Sequence, residues 1–358
     1  MNSPFRIKPG ILIVLIVCCF DVAAQSKRLF RPDDLFRVRR IGAIAWSADG
    51  RYAVIEFSKP SRWLDGVPTN DISLLEVRTQ SLRQLSPRSN AYLGFFNAVW
   101  SPDSKRAAFL SVDPNAVMRV WVWTVGTPAP SLLPNVEARV ASNEPSLAWI
   151  DGDRLAIMAW ELKAERSGTL STRVLRGRNA AIRWKQAFEG NVAAVSVLDS
   201  EAVPKSDSPG VELLSVDMRT GLRKRLARGR IHSLSVDRDG CCIRFSRQKV
   251  GSTVASYFEM VERADDVDVG YTAVTSGTER HVLDARTGVE LKNAPKPARR
   301  EPQPRPQLPP PPRPDARVLS LAPTRDAVLY IANGPDGSHL WLAGGQLLRV
   351  EDLCHCFK

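Results

Sequence analysis

Apolar residues along this chain fall into short runs on either side of polar turns, and helix-period patterns with caps are scarce. One phrase returns: an apolar residue, Trp-Ser, a spacer, Asp, Gly or Ser, a base, then small and apolar residues. It reads Ile44-Ala45-Trp46-Ser47-Ala48-Asp49-Gly50-Arg51-Tyr52-Ala53 and recurs as Val99-Trp100-Ser101-Pro102-Asp103-Ser104-Lys105-Arg106-Ala107-Ala108-Phe109. Weaker copies run from Leu147 through Trp149, Asp151-Gly152 and Ala156, and from Leu234 to Asp239-Gly240. A decayed copy spans Leu319 to Val328. In each, Asp can bond its own following backbone and Gly accepts positive φ, so the phrase predicts strand, tight turn, strand.

A second kind of segment follows several copies. Ile72–Val77 leads through Arg78-Thr79-Gln80-Ser81 to Leu82–Leu85. Leu213–Asp217 leads through Met218-Arg219-Thr220-Gly221 to Leu222–Leu226, and His281–Asp284 through Ala285-Arg286-Thr287-Gly288 to Val289–Leu291. These read as outer hairpins. Two hairpins per period of roughly 50 residues make a four-stranded antiparallel blade, which cannot bury both faces alone and must stack around an axis. The expected fold is all-β: a β-propeller of about six to seven four-stranded blades, with Trp46, Trp100 and Trp149 as apolar plugs between them. The segments Gly190–Val211 and Tyr257–Thr275 are too eroded to assign to a blade, and Leu340–Val350 reads as the closing hairpin.

The N-terminus changes the setting. A basic start, Met1 to Lys8, precedes an apolar run from Ile11 to Phe20, and Val22-Ala23-Ala24 puts a small residue before Gln25. That is a signal peptide over residues 1–24, cleaved near Ala24, because the run is too short for a membrane span. The mature domain, 25–358, is expected in the periplasm or secreted, with no membrane span. Cys18 and Cys19 leave with the signal. Cys241, Cys242, Cys354 and Cys356 remain, and in an oxidising compartment pairing among them is the ordinary reading. Cys354-His355-Cys356 lacks the separated second arm of a structural zinc site, so no metal ligands are assigned.

The formal net charge is +12. Between Lys292 and Arg317 seven basic residues outnumber two acidic ones, a net of +5, around a Pro-rich segment, 294–315, which cannot supply ladder N–H groups and reads as an extended loop between blades, with docking to an aromatic groove on a partner as the alternative. The rest is dispersed, mostly as turn arginines taken to be solvated. No nucleic-acid partner is expected outside the cytoplasm. Asp265-Asp266-Val267-Asp268 lacks the downstream carboxylate of a calcium loop, and Gly334-Pro335-Asp336-Gly337-Ser338 lacks the Lys-Ser/Thr of a phosphate loop.

The Trp-Ser-Pro-Asp phrase at 100–103 resembles the propeller repeat shared by TolB-type periplasmic proteins and by the N-terminal propellers of prolyl-oligopeptidase-family (S9-type) serine peptidases. The opening segment Arg31-Pro32-Asp33-Asp34-Leu35-Phe36, running through Ile41 into Trp46-Ser47, is similar to the start of exported peptidases of that group, including lasso-peptide isopeptidases. The resemblance covers nearly all of the mature chain. It implies a propeller that gates peptide substrate toward an α/β-hydrolase domain. No G-x-S-x-G elbow occurs in the sequence, and the histidines are four, at 232, 281, 339 and 355. The expectation is therefore a truncated form: a gating propeller with the hydrolase domain absent, inactive alone, with no catalytic residue, cofactor or metal site of its own. Its partners would be a peptide substrate or that hydrolase domain. The alternative is a TolB-like propeller that binds envelope proteins.

Overall fold

The structure is a computed structural model. It describes residues 40–58, 70–87, 91–161 except 114, 116 and 141–144, 185–190 except 187, 211–248 except 230, 278–293, 308–324 except 313 and 325–348 except 325–326, 335–336 and 343–345. The chain forms two compact units, Met1–Arg37 and Val38–Lys358; the described residues all lie in the second.

Five antiparallel sheets occupy the described residues, each a local meander. Sheet 1 holds β1 (Arg40–Trp46), β2 (Tyr52–Ser58), β3 (Asn70–Glu76) and β4 (Ser81–Gln84). Sheet 2 holds β5 (Gly94–Trp100), β6 (Arg106–Val112), β7 (Met118–Thr124) and β8 (Ser131–Glu137). Sheet 3 holds β9 (Leu147–Trp149), β10 (Arg154–Trp160), β11 (Val211–Asp217) and β12 (Arg223–Gly229). Sheet 4 holds β13 (Ile231–Val236), β14 (Cys242–Gln248) and β15 (Thr278–Asp284), with a further bridge from Leu283 to Glu290. Sheet 5 holds β16 (Arg317–Leu321), β17 (Val328–Gly334), β18 (Gly337–Leu342) and β19 (Gln346–Leu348).

The second strand of a sheet is buried on both faces, which is why β2, β6 and β10 read as near-continuous apolar runs. Successive side chains then serve opposite neighbours. Ala53, Ile55 and Phe57 pack with Leu329, Leu340 and Leu342 of sheet 5, while Val54 packs with Phe95, Phe109 and Trp121 of sheet 2. In the same way Ala108 and Leu110 meet Leu155 and Ile157 of sheet 3, and Ala156 and Met158 meet Ile243 and Phe245 of sheet 4. Each fully buried Leu, Ile, Val or Phe contributes about 1.5–3 kcal/mol relative to exposure. The first strands of successive sheets touch, β1 with β5, β5 with β9 and β9 with β13, so they form the hub. This is the β-propeller architecture, with sheet 1 packed against both its successor and the last sheet.

Two insertions fall at the same point of their blades. In sheet 3, β10 pairs directly with β11 along its whole length, so residues 161–210 are inserted within one blade. In sheet 4, β14 pairs with β15 across residues 249–277. Most of the two segments left unassigned from the sequence, and the Asp265–Asp268 run, lie outside the described residues, as do the signal segment and Cys354, His355 and Cys356. Among the described residues no helix is long and apolar enough to cross a membrane.

Candidate functional site

The recurring phrase builds a hub of turns. Ser47 Oγ donates to Asp49 Oδ1 at 2.7 Å and accepts the Tyr52 N–H at 3.0 Å. Ser101 repeats this with Asp103 at 2.7 Å and the Arg106 N–H at 2.9 Å. Gly50 and Ser104 sit at φ 71° and 60°, the left-handed position the turn requires. At the equivalent of Ser47 and Ser101, the fourth copy has Asp237, gripped by Arg244 through Nε and Nη2, both at 2.7 Å.

Neighbouring turns are bonded to one another. The Asp49 N–H donates to Ser104 Oγ at 3.0 Å. Arg106 Nη1 donates to Asp153 Oδ1 at 2.8 Å and to the Gly152 carbonyl. Arg154 Nη1 reaches the Ala285 carbonyl at 2.8 Å, and buried Arg139 reaches that of Ile231 at 2.9 Å. On the outer edge, Arg223 bonds the Asn135 carbonyl and Lys224 that of Thr287. Basic residues expected to be solvated thus tie one sheet to the next, because an arginine fork can meet backbone carbonyls left free at turns and sheet edges.

The tryptophans do more than fill space. Trp100 Nε1 donates to the Ala45 carbonyl at 2.9 Å and Trp149 Nε1 to that of Val99 at 3.1 Å. Trp46 Nε1 donates to Ser320 Oγ at 2.8 Å. Each indole reaches the residue just before the corresponding Trp position of the preceding sheet, and Trp46 applies the rule across the join between the last sheet and the first. Trp149 is buried as expected, whereas Trp46 and Trp100 are half-buried.

Sequence reasoning missed Glu56. It stands alone as a charge in the apolar run of β2 and faces sheet 2, where Oε1 accepts the Asn97 N–H at 2.7 Å. Asn97 lies in the bulge of β5 at φ 60°. The Ala98 N–H and Asn70 Nδ2 also bond this carboxylate. Burial pushes its carboxyl up, against the pull of those donors. The signal was available: one Glu amid Ala53–Phe57 has to be paired.

The turn aspartates go the other way. For Asp49, burial pushes up, but bonds from Ser47 and the Arg51 N–H and the Arg51 guanidinium outweigh it and hold it low. Asp151 is held low by Arg154 and two backbone donors, again against burial. The Thr220 and Thr287 N–H groups lead in lowering Asp217 and Asp284.

Two further clusters bear on chemistry. Cys241 is exposed and Cys242 buried, both free, with sulfurs 2.9 Å apart; Asp237 lies within ligand range of both. The bond to Cys242 and then Asp239 push the Cys241 thiol up to about 12, so it is not an activated nucleophile. His281 is buried, stacks on Phe245, and holds Glu290 Oε1 at 2.6 Å through Nδ1. Among the described residues its Nε2 has no hydrogen-bond partner, with Glu279 Oε2 at 3.9 Å. Asp151-Gly152-Asp153 forms a hairpin turn between β9 and β10, and Gly334 pairs with Gly337 across a two-residue connection.

No family model and no curated protein matches the chain. Solved structures do. TolB from Acinetobacter baumannii is 14% identical with TM-score 0.35, over 86% of this chain and 53% of its own. The propeller domain of the Trilobed protease from Pyrococcus furiosus is 11% identical with TM-score 0.40, over 88% and 73%. The AtxE2 isopeptidase is 13% identical with TM-score 0.35, over 89% and 53%. The chain thus spans about half the length of the TolB and isopeptidase structures it matches. Similarity at this level fixes neither a family nor an activity.

Proposed function

We infer that this chain is the gating propeller of an exported S9-type serine peptidase or isopeptidase, admitting peptides to a hydrolase domain and cleaving no bond itself. The reading is supported by the export signal expected at residues 1–24, the opening segment and the Trp-Ser-Pro-Asp phrase. The observation that carries it is how the polar residues of the phrase are used. Ser47 and Ser101 are each committed to an aspartate and a backbone group, and Arg106 and Arg154 to the next sheet. His281 is committed to Glu290. Groups engaged in this way hold a scaffold together and are not poised for acyl transfer.

The purified chain is expected to resist labelling by a fluorophosphonate serine probe and to leave p-nitroanilide substrates intact. A covalent adduct on any serine would overturn the reading. On the genomic side, a reading frame encoding G-x-S-x-G downstream of Lys358 would support it.

A second reading, a TolB-like propeller that docks envelope proteins in the periplasm, draws on one feature. Leu222 and Val289 occupy equivalent turn positions on adjacent sheets and are 72% and 62% exposed. Paired apolar residues at the same turn suit a docking face. Capture of a defined envelope protein, lost in Leu222→Asp with Val289→Asp, would favour it over gating.

A further inference from the structure

We propose that the face of sheet 5 carrying Tyr330 and Trp341 recognises proline-rich segments in polyproline II conformation. The chain's own Pro309 is bonded there in cis, and a proline-rich peptide of another protein can take its place. The role does not depend on the gating function.

Alternation along β17 and β18 sends Leu329, Leu340 and Leu342 toward sheet 1. Tyr330 and Trp341 stand directly opposite each other on the other face, with Val318 opposite Tyr330 from β16. A row of Val318, Tyr330 and Trp341 therefore crosses three strands. The four apolar layers among the described residues join sheets 1 and 2, 2 and 3, 3 and 4, and 5 and 1. None covers this row. Among the described residues the proline run meets it: the hydroxyl of Tyr330, a residue only 2% exposed, donates to the Pro309 carbonyl.

The second donor on the row is buried and unmet. Among the described residues, Trp341 Nε1 is buried without a hydrogen-bond partner, although a buried indole N–H ordinarily finds one. A tyrosine hydroxyl beside an indole N–H is the equipment that suits polyproline, whose rings lie flat on aromatics and whose carbonyls have no internal donors. Proline has its φ already fixed, so ordering it costs little. The strap satisfies one donor and leaves the other unmet, whereas a peptide placed to meet both would hold an advantage over it. Val318, 44% exposed, offers apolar surface at the edge of the row.

The test uses the full chain with Pro309, Pro310, Pro311 and Pro312 all replaced by Ser, titrated with labelled decaproline and followed by anisotropy. The emptied chain is expected to bind at least tenfold more tightly than wild type, and not to bind a Gly-Ser decamer. In that background Tyr330→Phe and Trp341→Phe should each weaken binding about fivefold, the worth of one hydrogen bond. Equal binding of the two peptides, no gain over wild type, or indifference to both substitutions would overturn the proposal. Should the emptied chain fail to fold, wild type labelled with 5-fluorotryptophan serves. Its Trp341 resonance, assigned through Trp341→Phe, must shift with excess decaproline and not with Gly-Ser, and a resonance that stays still counts against the site.

Discussion

The indole N–H of Trp46 donates to the hydroxyl of Ser320 at 2.8 Å, joining residues 274 positions apart and the first sheet to the last. Beneath it lies the apolar layer of Ile55, Phe57, Leu329 and Leu340. Ser320→Ala should lower stability by about 1 kcal/mol, and Trp46→Phe by more, since it also loses packing. A double-mutant cycle read by urea unfolding checks this. Additive effects of the two substitutions would mean that the bond contributes nothing of its own.

Gly240 tests the hub from the other side. It has φ 68°, and a Cβ there would lie 2.7 Å from the Ile150 carbonyl oxygen of the neighbouring turn. Gly240→Ala should cost on the order of 2 kcal/mol or more, from the left-handed backbone together with the clash. Gly126, at φ 88° with nothing within 4 Å, is the control, and Gly126→Ala should cost less. Equal losses of unfolding free energy at the two sites would argue against contact between turns 3 and 4.

Glu56 and the turn aspartates should pull stability in opposite directions with pH. Asp49, Asp151, Asp217, Asp239 and Asp284 are held below the ordinary 3.8. Near and below that value the unfolded chain binds more protons than the native one, so stability falls as pH drops. Urea midpoints should therefore decline from pH 5 toward pH 3, and Asp49→Asn should flatten that limb while lowering stability at pH 7.

Glu56 is held above the ordinary 4.5. Between that value and its raised one the native state holds the extra proton, so its contribution declines as pH rises. Glu56→Gln should remove this decline, visible as a flatter midpoint against pH above 4.5. Glu56→Ala should instead cost about 1–3 kcal/mol at every pH, because the Asn97 and Ala98 N–H groups in the β5 bulge lose their acceptor.

The four-stranded meanders were legible because their determinants are local. Asp-Gly and Asp-Ser turns lie within a few residues of the strands they join, and the doubly buried β2, β6 and β10 announce themselves as apolar runs. The same locality explains the outer hairpins with Gly221 and Gly288 at positive φ. It does not reach the insertions. The pairing of Arg154–Trp160 with Val211–Asp217 spans some fifty residues that carry no register information of their own.

The sequence by itself determined the turns, the strands and the repeat, since each follows from backbone preferences of neighbouring residues. Only the tertiary structure decided what Glu56, Arg106, Arg154, Trp46 and Tyr330 do. Their partners Asn97, Asp153, Ala285, Ser320 and Pro309 lie on other strands or segments, brought within reach by the stacking of sheets. Burial of apolar surface drives that stacking without regard to direction, and the hydrogen bonds then fix which side chain meets which. Spacing along the chain records the first and carries no trace of the second.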